Sequence, residues 1–204
     1  MEKKVTLTEE RMKRELAGFP PVVTEEFEKA WSEMSTLLNE GQMAVWAQTG
    51  MELAQQAVRS WEAASEYFRV SPQVLEHLTP IQLMDWAQCG SGLCHDSPTL
   101  AIAYFRASSG TVSYLKGRKI NGWADMGRSF YKGTWKSSTL ACKFYASSPG
   151  LVNRLTFPEL ERFVAFLDAL SHRSYDLSGE CLSLGQQLFP LPLVRRERLR
   201  HQAL

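Results

Sequence analysis

The sequence predicts an all-α fold, an α-α superhelix of about four helical repeats of roughly 40 residues with a helical cap at each end. Three observations predict it. Tryptophan recurs at Trp46, Trp86 and Trp123, spaced 40 and 37 residues apart, and Phe163 stands 40 residues further on. The same residue types return in the same columns around each recurrence. Within one unit the apolar residues fall at helical spacing, and no alternating run bounded by turn residues competes with it.

Taken in chain order, residues 1–42 read as a helical cap. Two helices, 8–17 and 24–39, are split by Gly18-Phe19-Pro20-Pro21, and Trp31, Met34, Leu37 and Leu38 supply an apolar stripe. The repeats follow at 43–82, 83–119, 120–159 and 160–189, and a basic tail occupies 190–204. Four positions after each tryptophan comes Gly50, Gly90 or Gly127, with Leu167 in the fourth copy. A small residue follows at Ala64, Ala101, Ala141 and Cys181, then an aromatic pair at Tyr67-Phe68, Tyr104-Phe105 and Phe144-Tyr145.

One unit reads as two main helices and a short third. Thr79-Pro80 is an N-cap followed by proline in the first turn, where the missing N–H costs nothing. The helix it starts places Leu83, Trp86, Ala87 and Leu93 on one side. Ser97-Pro98 starts a second helix through about Arg106 in the same way, and Ser71-Pro72 a short third one. A glycine inside a helix costs about 1 kcal/mol against alanine. Its threefold recurrence therefore implies close helix approach, here against the small residue of the second helix. The tryptophans and aromatic pairs are expected to fill the space between hairpins. A lone unit has no way to bury these faces, so stacking is required.

Composition bounds the functional classes. With 44% hydrophobic and 22% charged residues in 204, a buried core is feasible. The net charge of +1 excludes a uniformly basic nucleic-acid binder. No apolar run reaches the roughly 20 residues of a membrane helix, and MEKKVTLTEE lacks the apolar core of a signal peptide, so a cytoplasmic protein is expected. Cys89 and Cys94 are spaced C-x4-C rather than as a zinc knuckle, and neither a metal nor a cofactor is expected.

The pattern W-x3-G-x2-[LF] followed by A-x2-[YF]-[FY] resembles the helix-turn-helix register of tetratricopeptide repeats. Its longer period and third helix are more similar to armadillo or HEAT units. The phrase WAxxG with YF-x2-SP, over residues 43–189, also resembles helical repeats flanking von Willebrand A domains in bacterial proteins that partner MoxR-type ATPases. The metal-binding D-x-S-x-S of such a domain is absent; the nearest string, Asp176 to Glu180, fails at its last position. The resemblance implies a helical interaction module.

Catalytic candidates are few. Cys94 beside His95 and Asp96 suggests a thiol nucleophile, but neighbours on a helix point about 100° apart and do not face each other. Cys89, Cys142 and Cys181 share columns with core residues and read as buried. Trp46, Trp86, Trp123 and Phe163, with Gly50, Gly90 and Gly127, read as repeat core, whereas Trp61 or Trp135 is a candidate for exposure on a binding surface.

Charge carries the functional signal. Residues 106–154 hold nine basic side chains and only Asp125 as an acid. Lys116, Arg118 and Lys119 cluster in one loop, Arg128, Lys132 and Lys136 recur every four residues, and Tyr131 and Trp135 adjoin them. The expectation is a non-catalytic scaffold or adaptor whose basic face in repeats 2 and 3 meets an acidic protein. Single-stranded nucleic acid or another polyanion on the same face is the alternative, and a thiol enzyme at Cys94 and His95 a third reading. No small-molecule substrate is inferred.

Overall fold

The computed structural model describes residues 9–115, 119–132 and 138–189, and among these the secondary structure is entirely helical. The chain divides into two compact units, Met1–Phe105 and Arg106–Leu204. The first contains α1 (Glu9–Leu16), α2 (Pro21–Leu37), α3 (Glu40–Gln55), α4 (Ser60–Leu75), α5 (Pro80–Asp96) and the first half of α6 (Pro98–Thr111). The second contains the end of α6 with α7 (Lys119–Lys132), α8 (Ser138–Val152), α9 (Phe157–Ser171) and α10 (Tyr175–Leu188). The fold is all-α and repeat-like, built of antiparallel helix pairs.

The first helices of the first, second and fourth repeats each start with a reciprocal cap. Asn39 Oδ1 accepts the Gln42 N–H at 3.0 Å while the Gln42 side chain accepts the Asn39 N–H at 3.0 Å. Thr79 and Gln82 repeat this at the start of α5, and the Glu159 carboxylate accepts the Thr156 N–H at 2.8 Å before α9. These caps satisfy N–H groups that have no partner inside the helix. They lie seven residues before Trp46, Trp86 and Phe163, so the structural repeat begins four residues earlier than the tryptophan columns suggested.

The glycines are explained by rings rather than by the small residues expected. A Cβ at Gly50 would lie 2.1 Å from Cζ of Phe68, one at Gly90 2.1 Å from Cζ of Phe105, and one at Gly127 2.1 Å from Cζ of Tyr145. The tip of the second aromatic of each pair thus presses on the first helix, where only glycine leaves room. In unit 1 the other member joins a continuous stack. Phe27 lies on Trp46 at 5.9 Å, Trp46 on Tyr67 at 6.3 Å, Tyr67 on Trp86 at 5.4 Å, and Trp86 on Tyr104 at 6.4 Å. The stack runs from one hairpin into the next, as expected. The Tyr67 hydroxyl donates to the Trp46 carbonyl and the Tyr104 hydroxyl to that of Trp86, so each buried phenol is satisfied. The third repeat inverts the pair. Tyr145 covers Gly127 and donates to the Ala124 carbonyl, while Trp123 Nε1 donates to the Ser148 hydroxyl at 2.9 Å.

Four expectations are corrected. The short third helix does not exist: α4 runs through Pro72 and α8 through Pro149. Proline lacks only one helical hydrogen bond there, the Ser71 hydroxyl bonds the Tyr67 carbonyl, and Val70, Ser71, Pro72 and Val74 are all buried. That burial outweighs the break a proline usually imposes. The buried stripe of α2 is Val23, Phe27, Ala30 and Met34; Trp31 is half-buried and Leu37 is 56% exposed. Phe163 is half-buried, edge-on to Phe189 at 5.3 Å, so the fourth repeat keeps its aromatic less deeply than the tryptophans. On α10 Ser178, Gly179, Leu182 and Gly185 are buried, and Cys181 beside Leu182 is half-buried.

Candidate functional site

Charge divides where the two units divide. Unit 1 carries 8 basic and 15 acidic side chains, net −7; unit 2 carries 15 basic and 7 acidic, net +8. In unit 1 five of the described cations are neutralised locally. Arg11, Lys13, Lys29, Arg59 and Arg69 each meet a glutamate three or four residues away, and Lys13 also reaches Glu28 at 3.3 Å. The bond that the Lys13 ammonium donates to Glu9 holds it above its ordinary range, and the bond to Glu26 does the same for Lys29.

Unit 2 differs. Lys119, Lys132 and Lys143 are exposed and have no carboxylate partner among the described residues. Arg128 faces Asp125 at 3.5 Å, and Arg154 donates to the Phe189 carbonyl at 2.5 Å, which draws it into the fold. Lys143 lies along α10, where a Cβ on Gly179 would be 3.2 Å from its Nζ. Arg128 and Lys132 stand one turn apart on α7, with Tyr131 half-buried between them. Lys119 sits thirteen residues before Lys132, about 220° around the helix, so α7 presents cations on two sides. Lys116, Arg118, Trp135 and Lys136 lie outside the described residues. Trp61, a candidate for exposure, is half-buried.

Beside Lys119 unit 2 holds a cavity of about 190 Å³. Leu115, Val152, Leu155 and Leu160 form its interior, with Tyr114 and Phe157 also lining it. The Lys119 Nζ lies 5.6 Å from the centroid of the Phe157 ring, close enough for the ring face to attract it. The ring rests on Gly122, where a Cβ would be 2.8 Å from its Cζ. Lys119 departs from the repeat, and Gly122 stands in a column that varies from copy to copy. Lys119 occupies the column of Gln42, Gln82 and Glu159, the residues that complete the helix caps elsewhere. Gly122 occupies the column of Val45, Asp85 and Arg162. A lysine in the first turn also opposes the helix dipole, at a cost of about 0.3–1 kcal/mol. The sequence reading included Lys119 as one of a charged cluster and missed Gly122, Phe157 and the cavity. Comparing each column across the repeats was the signal that could have found them.

The Cys94 and Cys142 thiols are shifted away from reactivity. Cys94 is 1% exposed, and burial pushes its thiol up to about 11, which leaves it protonated at neutral pH; activated cysteines are shifted the other way. His95 is exposed at the end of α5. Burial also raises the Cys142 thiol. Cys89, Cys142 and Cys181 are half-buried, not fully buried as their columns implied, because each lies at the edge of its helix's buried stripe. No disulfide joins the four cysteines. Among the described residues no three His, Cys, Asp or Glu side chains converge on a metal position, and no helix is long and apolar enough to cross a membrane. Comparison with protein-family models, with curated proteins and with solved structures finds no match.

Proposed function

We propose that this protein is a non-catalytic interaction scaffold of the cytoplasm that engages an acidic protein through the basic surface of unit 2. The observation that carries this reading is the segregation of charge between the units, −7 against +8, with Lys119, Lys132 and Lys143 left exposed and without a carboxylate partner among the described residues. Exposed ammonium groups without partners attract a negative surface and hasten encounter, and they require little rearrangement when it docks. Helical repeats suit such a role because their cores are made by recurring columns, which leaves outward positions able to vary.

The test is affinity capture from a cell extract with the full chain and with a Lys132→Glu/Lys143→Glu variant, the captured proteins identified by mass spectrometry. The expected result is a discrete set of acidic proteins that the parent retains and the variant loses, with capture falling as salt rises. Equal capture by both chains refutes the reading. Retention of nucleic acid instead of protein, with affinity for arbitrary single-stranded oligonucleotides falling steeply with salt, assigns the surface to a polyanion.

A further inference from the structure

Resting on the reading of an acidic partner, we propose that the cavity beside Lys119 receives one apolar side chain of an acidic peptide segment, with a flanking carboxylate meeting the Lys119 ammonium. Size and lining set the first half of the recognition. The space of about 190 Å³ is walled by Leu115, Val152, Leu155 and Leu160. An apolar cavity of about 150 Å³ suffices to hold a benzene-sized ring. A phenylalanine or leucine side chain therefore fits, and it exchanges water for apolar contact on several sides, the arrangement that makes an interface anchor.

Charge sets the second half. Lys119 is exposed, has no carboxylate partner among the described residues, and stands over the Phe157 ring on the cavity wall. A carboxylate one or two residues from the inserted side chain is within reach of it, whereas a basic flank is repelled. The repeat columns identify this as a built feature. At Lys119 the other repeats place Gln42, Gln82 or Glu159, and at Gly122 they place Val45, Asp85 or Arg162. A side chain at position 122 would strike Phe157, so the glycine lets the ring lie down against α7, beneath the lysine. The glycine and the lysine thus meet in one place, one supporting the wall and the other supplying the charge.

The experiment measures fluorescence polarisation of a dye-labelled pentapeptide, one Phe flanked by two Asp on each side, with the full chain. Two control peptides replace the Phe by Ala or all four Asp by Asn. The parent chain is expected to bind the Phe peptide about tenfold more tightly than the Ala peptide, as for an anchored aromatic. The Asn peptide is expected to bind weakly, and added salt to weaken the Phe peptide. Lys119→Glu and the rim variant Tyr114→Ala, both changed at exposed positions and checked for unaltered helical circular dichroism, are each expected to weaken the Phe peptide severalfold. Equal affinity for the Phe and Ala peptides overturns the cavity assignment but leaves the basic surface as a general acidic-partner site. Undiminished binding by Lys119→Glu removes the role of that lysine. Failure to bind any acidic peptide overturns the assignment, and the capture experiment then shows separately whether the broader reading falls with it. Concentration-dependent self-association that Lys119→Glu abolishes makes a second copy of this chain the occupant and overturns the peptide assignment.

Discussion

Replacing Gly90 by alanine should destabilise the protein, although the same change in an open helix stabilises it. A Cβ at Gly90 would lie 2.1 Å from Cζ, 2.4 Å from Cε1 and 3.1 Å from Cε2 of Phe105. Carbon atoms rest at about 3.5–4.0 Å, so the edge of the ring must retreat by more than an ångström. Phe105 is fully buried, with ring centroids at 5.1 Å to Trp86, 5.5 Å to Tyr104 and 5.6 Å to Tyr67. These rings block its retreat. Overpacking of a core costs about 1–3 kcal/mol, and such a closed site belongs at the upper end. Alanine recovers about 1 kcal/mol of helix propensity, which leaves a net loss of about 2 kcal/mol. For a chain of this length that lowers the melting temperature by about 4–8 °C. The assay is thermal and urea unfolding followed by circular dichroism, within a double-mutant cycle that includes Phe105→Leu. Shortening the ring should convert Gly90→Ala from harmful to neutral or favourable, a coupling of about 2–3 kcal/mol. A Gly90→Ala chain as stable as the parent would refute the close-approach argument for the whole glycine column.

Two further outcomes are expected. Arg59 is the described non-glycine residue with a left-handed backbone, at φ 66°, and its ion pair to Glu62 is exposed. Arg59→Gly should relieve about 1–2 kcal/mol of backbone strain and lose an exposed pair worth under about 1 kcal/mol, so urea unfolding should show unchanged or slightly raised stability; a clear loss would show that the pair outweighs the strain. The Cys94 thiol rises from 9.0 to about 11 on folding, so below pH 9 it is neutral in both states, and between those values the unfolded chain releases a proton that the folded chain keeps. Stability should fall as pH rises through that window, more steeply in the parent than in Cys94→Ala when unfolding free energies are measured from pH 7 to 11; parallel curves would show that the thiol is not buried as described.

Much of the architecture was legible because it repeats. The columns Trp46, Trp86 and Trp123, and Gly50, Gly90 and Gly127, mark the first helix of each pair. Capping and proline signals at Thr79-Pro80 and Ser97-Pro98 place two starts within a residue of those observed. The third helix was misread because Ser71-Pro72 carries the local signature of a start, whereas buried neighbours and the Ser71 side-chain bond keep α4 continuous. The glycine column was read correctly as close approach and assigned the wrong partner. One-dimensional spacing identifies a position that needs room, not the side chain that takes it.

The candidate site divides in the same way. That residues 106–154 are basic is a property of the sequence, and so is the presence of Lys119, Lys132 and Lys143 in that segment. Which cations stay exposed was decided by tertiary structure. Arg154 is drawn to the Phe189 carbonyl 35 residues away, while Lys132 on α7 is left exposed, with no carboxylate partner among the described residues. The cavity depends still more on the fold. Leu115 follows α6, Val152 ends α8, and Leu155 to Leu160 lead into α9, so its walls meet only when those helix ends converge. Sequence by itself determined the helices, their repeat and the sign of the charge, because capping, periodicity and ionisation are properties of residues and near neighbours. Only the tertiary structure decided that an exposed lysine borders an apolar hollow, because that is a relation among residues far apart in the chain.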